Sequence, residues 1–157
     1  MTSGLQDTGS STGQDHQELS EFKGLSTDDQ LGLLWVLYEH MGGSITPAAP
    51  GAAAPQFTQG LLDDVKAMDH DDQLAFMRDL VDKKSTEHTK MYGSFDENNK
   101  LLFWYELAEE MAAGTVVPVP DGYELSTGAA KIYSEMTALE FNSQITVLRN
   151  AVLDMGA

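Results

Sequence analysis

The hydrophobic positions of this chain follow helical spacing, and they do so twice. One apolar stripe consists of Leu31, Leu34, Trp35, Tyr38 and Met41, and a second consists of Leu101, Trp104, Tyr105, Ala108 and Met111. Both sets fall at i, i+3, i+4, i+7 and i+10, the spacing of one face of an α-helix. The pattern therefore predicts two equivalent helices, 70 residues apart.

The repeat continues past these helices, at an offset that grows by one residue. Gly43, Pro47 and Gly51 recur as Gly114, Pro118 and Gly122, and Gln73, Leu74, Arg78 and Val81 recur as Gln144, Ile145, Arg149 and Val152. One offset is thus kept through a loop and a further helix. This predicts a tandem duplication of a helical unit, in which the two aromatic stripes can face each other.

Start and stop signals predict the remaining elements. Ser26 and Asp29 form an N-cap pattern for a helix that ends at Met41, before two glycines. Residues 44–56 contain three prolines and predict an extended loop. Further helices are predicted over 57–68, 71–83, 85–92, 98–113, 126–139 and 142–155; only 115–119 has strand character, and prolines oppose it. The predicted fold class is all-α, with two small helical bundles packed together.

Residues 1–21 differ in composition from the rest of the chain. They are mostly small and polar, with four acids and no Lys or Arg. Such a segment cannot bury enough apolar surface to offset its ordering entropy, so an acidic, disordered tail is expected over 1–21. Residues 22–157 then form one domain, whose net charge is −12 because the four acids account for the rest of the total of −16.

Composition excludes several classes of function. A net charge of −16 with nine Lys and Arg argues against binding to nucleic acid or to an anionic membrane surface. The absence of cysteine excludes disulfides and thiol chemistry. No signal-peptide pattern is present, and no apolar run approaches the ~18 residues of a membrane span. A soluble cytoplasmic protein is expected.

Motifs for catalysis or metal binding are also missing from the sequence. The four histidines form no i, i+4 pair, and no nucleophile elbow, P-loop or dinucleotide fingerprint is present. The acids of segment 69–72 lack the remaining EF-hand residues and are expected at a helix start because of the helix dipole. We expect neither an enzyme nor a metal site.

The aromatic stripes leave two interpretations open. Their rings can simply pack in a core, where each buries ~150–250 Å². They can instead line a cleft for an apolar ligand, which the polar atoms of Trp and Tyr favour over a dry core. Methionines at matching places support the second interpretation, because their side chains adapt to irregular apolar shapes; they are Met41, Met77, Met111 and Met155.

Five segments carry a family resemblance. They read LLWVLYE at 33–39, AAPG at 48–51, FWYEL at 103–107, PVPDGY at 118–123 and QITVLRN at 144–150. In this order and spacing they resemble the N-terminal, carotenoid-binding domain of the orange carotenoid protein, from about Phe22 to the C-terminus. Because the chain ends where that family's interdomain linker would begin, it looks like a stand-alone helical carotenoid protein.

The resemblance implies two interleaved four-helix bundles with a keto-carotenoid in a tunnel between the halves. The pigment would be of the canthaxanthin, echinenone or hydroxyechinenone type, and the family is also associated with chloride. By matching position, the tunnel would be lined by Leu31, Leu34, Trp35, Tyr38, Met77, Asn98, Leu101, Trp104, Tyr105, Met111, Val119, Tyr123, Ile145, Thr146 and Val152, with Arg149 at its mouth.

The implied function is photoprotection, through singlet-oxygen quenching or carotenoid transport. The alternative is docking on the phycobilisome and quenching of its excitation energy, and a separate regulatory-domain homologue is a further candidate partner. The implied location is cytoplasmic, peripheral to phycobilisomes or thylakoids. Without a regulatory domain, photoswitching is not expected. Glu21, Ala108 and Pro55 depart from the family's usual residues, and a pigment-free protein whose groove is only core remains the third interpretation.

Overall fold

The computed structural model describes residues 17–41, 55–120 and 122–156, and within these ranges the protein is all-helical. Helix α1 occupies 17–23. It is followed by α2 (Thr27–Met41), α3 (Pro55–Ala67), α4 (His70–Asp82), α5 (Glu87–Gly93), α6 (Glu97–Ala113), α7 (Thr127–Thr137) and α8 (Phe141–Leu153). None of these helices is long and apolar enough to cross a membrane.

Local capping explains why the helices begin where they do. The Ser26 hydroxyl accepts a hydrogen bond from the Asp29 N–H at 3.2 Å, and the Asp96 carboxylate accepts one from the Asn99 N–H at 2.8 Å, at equivalent positions of the two units. Asp69 caps α4 in the same way, through the Asp72 N–H at 2.8 Å. The acids of segment 69–72 therefore serve the start of a helix, as their position predicted.

The duplication is larger than the apolar stripes alone indicated. Helix α1 lies 70 residues before α5, so the first unit is α1–α4 and the second is α5–α8. We call two residues counterparts when they occupy the same position in the two units.

Residues 17–21, expected in the disordered tail, are helical, and α1 buries Phe22 in the core, where its counterpart is Tyr92. That expectation was wrong for these residues because two apolar side chains in a short helix give little periodic signal. Residues 1–16 lie outside the described part.

The helices of the two units exchange partners. Helix α2 packs on α4, and its counterpart α6 packs on α8, within each unit. However, α6 also packs on α3 of the first unit, while α2 packs on α7 of the second, and α2 and α6 contact each other. Each unit thus supplies a helix to the other, which is the pattern that interleaved bundles require.

Two loop predictions have different outcomes. The loop predicted over 44–56 lies largely outside the described residues, but α3 begins at Pro55 and not after Gln56, since proline is well suited to the first position of a helix. In the second unit, residues 115–119 form no strand. Gly114 ends α6 in the left-handed conformation, with φ of 85°, as expected for a helix C-cap.

Candidate functional site

An apolar cavity of about 280 Å³ lies between α2, α4, α6 and the loop that follows α6. The two helices that carry the aromatic stripes form its walls, and the loop with the Pro-Val-Pro sequence closes one side. Its lining residues are Asp28, Leu31, Gly32, Leu34, Trp35, Tyr38, Leu74, Met77, Arg78, Trp104, Ala108, Met111, Val117, Pro118, Val119, Pro120 and Tyr123.

The polar atoms of the buried aromatic walls are satisfied within the protein. The Tyr38 hydroxyl donates to the Leu101 carbonyl at 3.0 Å, and the Trp104 indole N–H donates to the Tyr92 hydroxyl at 3.0 Å. Tyr92 in turn donates to the Val152 carbonyl at 2.5 Å. Burial raises the pKa of Tyr38 well above its ordinary value, so this hydroxyl stays protonated. The rings therefore offer the cavity mainly apolar surface.

Tyr92 acts behind the cavity wall as a support for Trp104. Its side chain is fully buried, and its ring lies edge-on to Phe95 and Phe103, with centroid distances of 6.0 and 5.7 Å. Burial is the main cause of its raised pKa. In the first unit the counterparts of Tyr92 and Trp104 are Phe22 and Leu34, so the polar pair of one unit is replaced by an apolar pair in the other.

Gln73 fixes the loop that closes the cavity. Its side-chain oxygen accepts a hydrogen bond from the Val117 N–H at 2.7 Å, while its amide donates to the Thr115 carbonyl at 3.1 Å. The same amide donates to the carbonyls of Val65 and Met68, at 3.0 and 3.2 Å. Because Gln73 is fully buried, these bonds hold the end of α3 and the proline loop in one arrangement.

The mouth of the cavity is polar. Arg78 donates from Nε to Asp28 Oδ1 at 2.9 Å and from Nη2 to Asp28 Oδ2 at 3.2 Å, and this contact raises the pKa of Arg78. The pair is exposed and contributes about 0–1 kcal/mol to stability. Beside it, the Tyr123 ring fills the space over Gly32, where a Cβ would lie 2.0 Å from the Tyr123 hydroxyl.

Of the sixteen residues that the sequence analysis assigned to the site, nine line this cavity. They are Leu31, Leu34, Trp35, Tyr38, Met77, Trp104, Met111, Val119 and Tyr123. The structure does not bring the other seven to it: Asn98, Leu101, Tyr105, Ile145, Thr146, Arg149 and Val152. Thr146 donates to the Asn142 carbonyl of its own helix at 2.9 Å, and Val152 is fully buried in the core.

The remaining five of these seven form the equivalent place in the second unit. Asn98, Leu101, Tyr105, Ile145 and Arg149 are the counterparts of Asp28, Leu31, Trp35, Leu74 and Arg78, all of which line the cavity. We call these five residues the counterpart end. The loop that would face them corresponds to 46–52, which lies outside the described residues.

The two ends differ in charge. At the cavity, Arg78 is paired with Asp28, whereas at the counterpart end the residue equivalent to Asp28 is Asn98. Among the described residues, Arg149 Nε is buried and has no hydrogen-bond partner. The cavity end is therefore electrically neutral, and the counterpart end has an arginine with an unused donor.

Sequence reasoning missed eight of the lining residues. They are Asp28, Gly32, Leu74, Arg78, Ala108, Val117, Pro118 and Pro120. Leu74 and Arg78 could have been found, because they are the counterparts of the assigned Ile145 and Arg149. Gly32 gave no such signal, since its role depends on the close approach of the Tyr123 ring.

Comparison with known proteins identifies the class to which this fold and cavity belong. Residues 10–157 match the family model described as the N-terminal domain of the orange carotenoid protein. The chain is a member of this family, which confirms the resemblance and the all-α fold predicted from the sequence.

Individual relatives are similar over most of this chain. An orange carotenoid-binding domain-containing protein of Nostoc sp. strain PCC 7120 is 49% identical over 138 residues, covering 88% of this chain and 81% of the relative. The orange carotenoid-binding protein of Synechocystis sp. strain PCC 6803 is 44% identical, and the match covers 88% of this chain but only 44% of that protein.

Solved structures agree with the fold. The red carotenoid protein of Anabaena (Nostoc) sp. PCC 7120, which binds canthaxanthin, superimposes with a TM-score of 0.82 at 35% identity, over 91% of this chain and 98% of that one. The orange carotenoid protein of the same organism, also binding canthaxanthin, gives a TM-score of 0.83 at 40% identity, over 90% of this chain and 45% of that one.

Proposed function

We propose that this protein binds a keto-carotenoid of the canthaxanthin type and acts in photoprotection, as a singlet-oxygen quencher or a carotenoid carrier. One observation carries the proposal: the apolar cavity between the two stripe helices, walled by Trp35, Tyr38 and Trp104, in a member of a carotenoid-binding family. A pure core would leave no such space, because protein interiors are close-packed.

The size of the cavity suggests how the pigment would lie. At about 280 Å³ it is near the lower limit of the ~300–1,000 Å³ typical of small-molecule sites. It therefore suits one ring of a carotenoid and not the whole molecule. The polyene would continue between α2 and α6 toward the counterpart end, whose Leu101, Tyr105 and Ile145 would line the second half of the tunnel.

The test is expression in a host that makes a keto-carotenoid. The purified protein should be red to violet, should retain the pigment through gel filtration, and should not change its spectrum under blue light. Tyr38→Ala and Trp104→Ala should each lower the pigment-to-protein ratio severalfold, because each removes ring surface worth about 25 cal/mol per Å². Phe141→Ala, which removes an exposed aromatic side chain at the start of α8, is the matched control. A wild-type protein that stays colourless would contradict the proposal and show that the cavity is only a packing defect of the core.

A second candidate function is quenching of phycobilisome excitation, and Arg149 favours it. Its side chain is partly exposed, so the guanidinium could meet an acidic partner at the counterpart end. The net charge of −16 opposes this, since like charges across an interface weaken binding and slow encounter. We therefore expect singlet-oxygen quenching with little quenching of phycobilisome fluorescence. Strong quenching at low salt that disappears in Arg149→Leu would reverse this choice.

The chloride site expected from the resemblance stays a prediction.

A further inference from the structure

Three glutamates meet where α1 packs on α7, away from the cavity. Glu18 and Glu21 lie one turn apart on α1, and Glu135 lies on α7. One oxygen from each carboxylate lies within 4.8 Å of the others. We call these three residues the acidic cluster.

Each member of the acidic cluster has an oxygen without a hydrogen-bond partner among the described residues outside the cluster. Glu18 is only 1% exposed, and its Oε2 is out of solvent; its carboxyl group hydrogen-bonds with Glu135 when it is protonated. One oxygen of Glu21 and one of Glu135, both Oε1, are likewise out of solvent. Their other oxygens face Lys131, whose Nζ lies 3.5 Å from Glu21 Oε2 and 3.0 Å from Glu135 Oε2. A single ammonium thus contacts two of the three carboxylates, and the described residues supply no second cation to the cluster.

The equivalent contact, between α5 and α3, shows how the same position looks when its charge is balanced. The counterparts of Glu18 and Glu135 are His88 and Asp64, and these form an ion pair at 3.6 Å when the histidine is protonated. In the first unit an acid occupies the place of the histidine, so an acid faces an acid. A buried acid without a compensating cation is unfavourable, so a cation from solution is the missing partner.

We propose that Glu18, Glu21 and Glu135 bind a hard divalent cation, with Ca²⁺ as the preferred ion, and that the ion fastens α1 to α7. Carboxylate oxygens are the ligands that Ca²⁺ takes, at ~2.3–2.6 Å. Two oxygens that share an ion at ~2.4 Å can be at most ~4.8 Å apart, and the observed separations satisfy this limit. One oxygen of each carboxylate then acquires a common partner.

Protons and Lys131 compete with the ion. Burial, followed by the charges of Glu135 and Glu21 and a hydrogen bond with Glu135, raises the pKa of Glu18 to about 7, while Lys131 acts in the opposite direction. Removal of Lys131 should strengthen binding, because the ammonium repels the incoming cation.

The experiment is calorimetric titration of the whole pigment-free chain with CaCl₂ at pH 8, after chelation and with Mg²⁺ as a comparison ion. We expect one saturable site with a Kd on the order of 10⁻⁴ M. Glu18→Gln and Glu135→Gln should each weaken binding at least tenfold, and Lys131→Met should tighten it severalfold. Ca²⁺ should also slow amide hydrogen exchange in residues 17–23.

The counterpart position provides the matched control. Asp64→Asn changes one acid of the equivalent pair and should leave Ca²⁺ affinity unchanged. Circular dichroism confirms that each variant is folded before titration. Absence of saturable binding to the wild type would overturn the proposal, as would equal weakening by Asp64→Asn and Glu18→Gln, which would indicate diffuse counterion binding. Loss of affinity in Lys131→Met would also contradict it, because the lysine would then be part of the site.

Discussion

Tyr92→Phe tests whether the polar support behind the cavity stabilises the protein. The change removes one oxygen and leaves the ring in place. One buried group then loses its partner: the Trp104 indole N–H, in a side chain 4% exposed. The carbonyl of fully buried Val152 loses the Tyr92 hydroxyl but keeps the Met155 N–H at 3.3 Å. An unsatisfied buried polar group costs about 1–3 kcal/mol, so we expect Tyr92→Phe to lower the free energy of unfolding by about 1–3 kcal/mol.

The assay is urea denaturation followed by far-UV circular dichroism, which should show a lower midpoint at an unchanged m-value. The corresponding fall in Tm is roughly 2–12 °C for a chain of this size. Tyr133→Phe, which removes a hydroxyl from a partly exposed ring that lies edge-on to His40, is the control and should cost less than about 0.5 kcal/mol.

A double-mutant cycle with Trp104→Phe separates the hydrogen bond from general packing. Once the indole N–H is absent, loss of the Tyr92 hydroxyl leaves no indole donor unsatisfied, whereas the single change leaves one. The double variant should therefore be more stable than the sum of the single effects by about 1 kcal/mol or more. Strictly additive effects, or a Tyr92→Phe variant as stable as the wild type, would refute this account.

Three further outcomes follow from the structure. Glu18→Gln should change the pH dependence of stability. Because the pKa of Glu18 is raised from its ordinary value of 4.5 to about 7 in the native state, the native state keeps this proton to a higher pH than the unfolded chain does. Wild-type stability therefore falls as the pH rises from about 4.5 to about 7. The variant should lack this fall and, after allowance for solvent screening, be more stable at pH 8 by about 1–2 kcal/mol in urea titrations without divalent cations. Gln73→Leu should cost about 3 kcal/mol, because the Val117 N–H and the carbonyls of Thr115 and Met68 lose the Gln73 side chain as their partner, and hydrogen exchange at Val117 should accelerate while that of Ala151 in α8 does not. Gly32→Leu should displace Tyr123 and lower pigment retention, and the added change Tyr123→Ala should restore it; retention in the single variant equal to wild type would contradict the assigned role of Gly32.

Local signals made most of the helical framework predictable. Periodicity placed the start and end of α2 and α6 to within one residue, helped for α2 by the cap at Ser26, because these signals act within a few residues. Helix α1 was missed, since it is short and its burial depends on contacts with distant helices. The exchange of helices between the units likewise cannot be predicted from any local sequence pattern.

The site residues that belong to the repeated sequence pattern could be predicted, whereas those at positions where the two units differ could not. The stripe residues Trp35, Tyr38 and Trp104 were identified from spacing and line the cavity. The roles of Gly32 and Tyr92 were not, because each depends on one partner brought close by the fold: the Tyr123 ring in the first case and the Trp104 indole in the second.

The exchange of helices between the two units bears on how the chain reaches its native state. Contacts between α2 and α7 join segments about a hundred residues apart, so closing them carries a loop entropy that neighbouring helices do not incur. Neither unit can bury its stripe helix fully by itself, because one of the helices that cover it comes from the other unit. The duplicated halves should therefore not act as separate foldons, and the protein should fold and unfold as one cooperative unit. Two fragments divided between α4 and α5 would each remain largely unfolded, yet would gain structure when mixed.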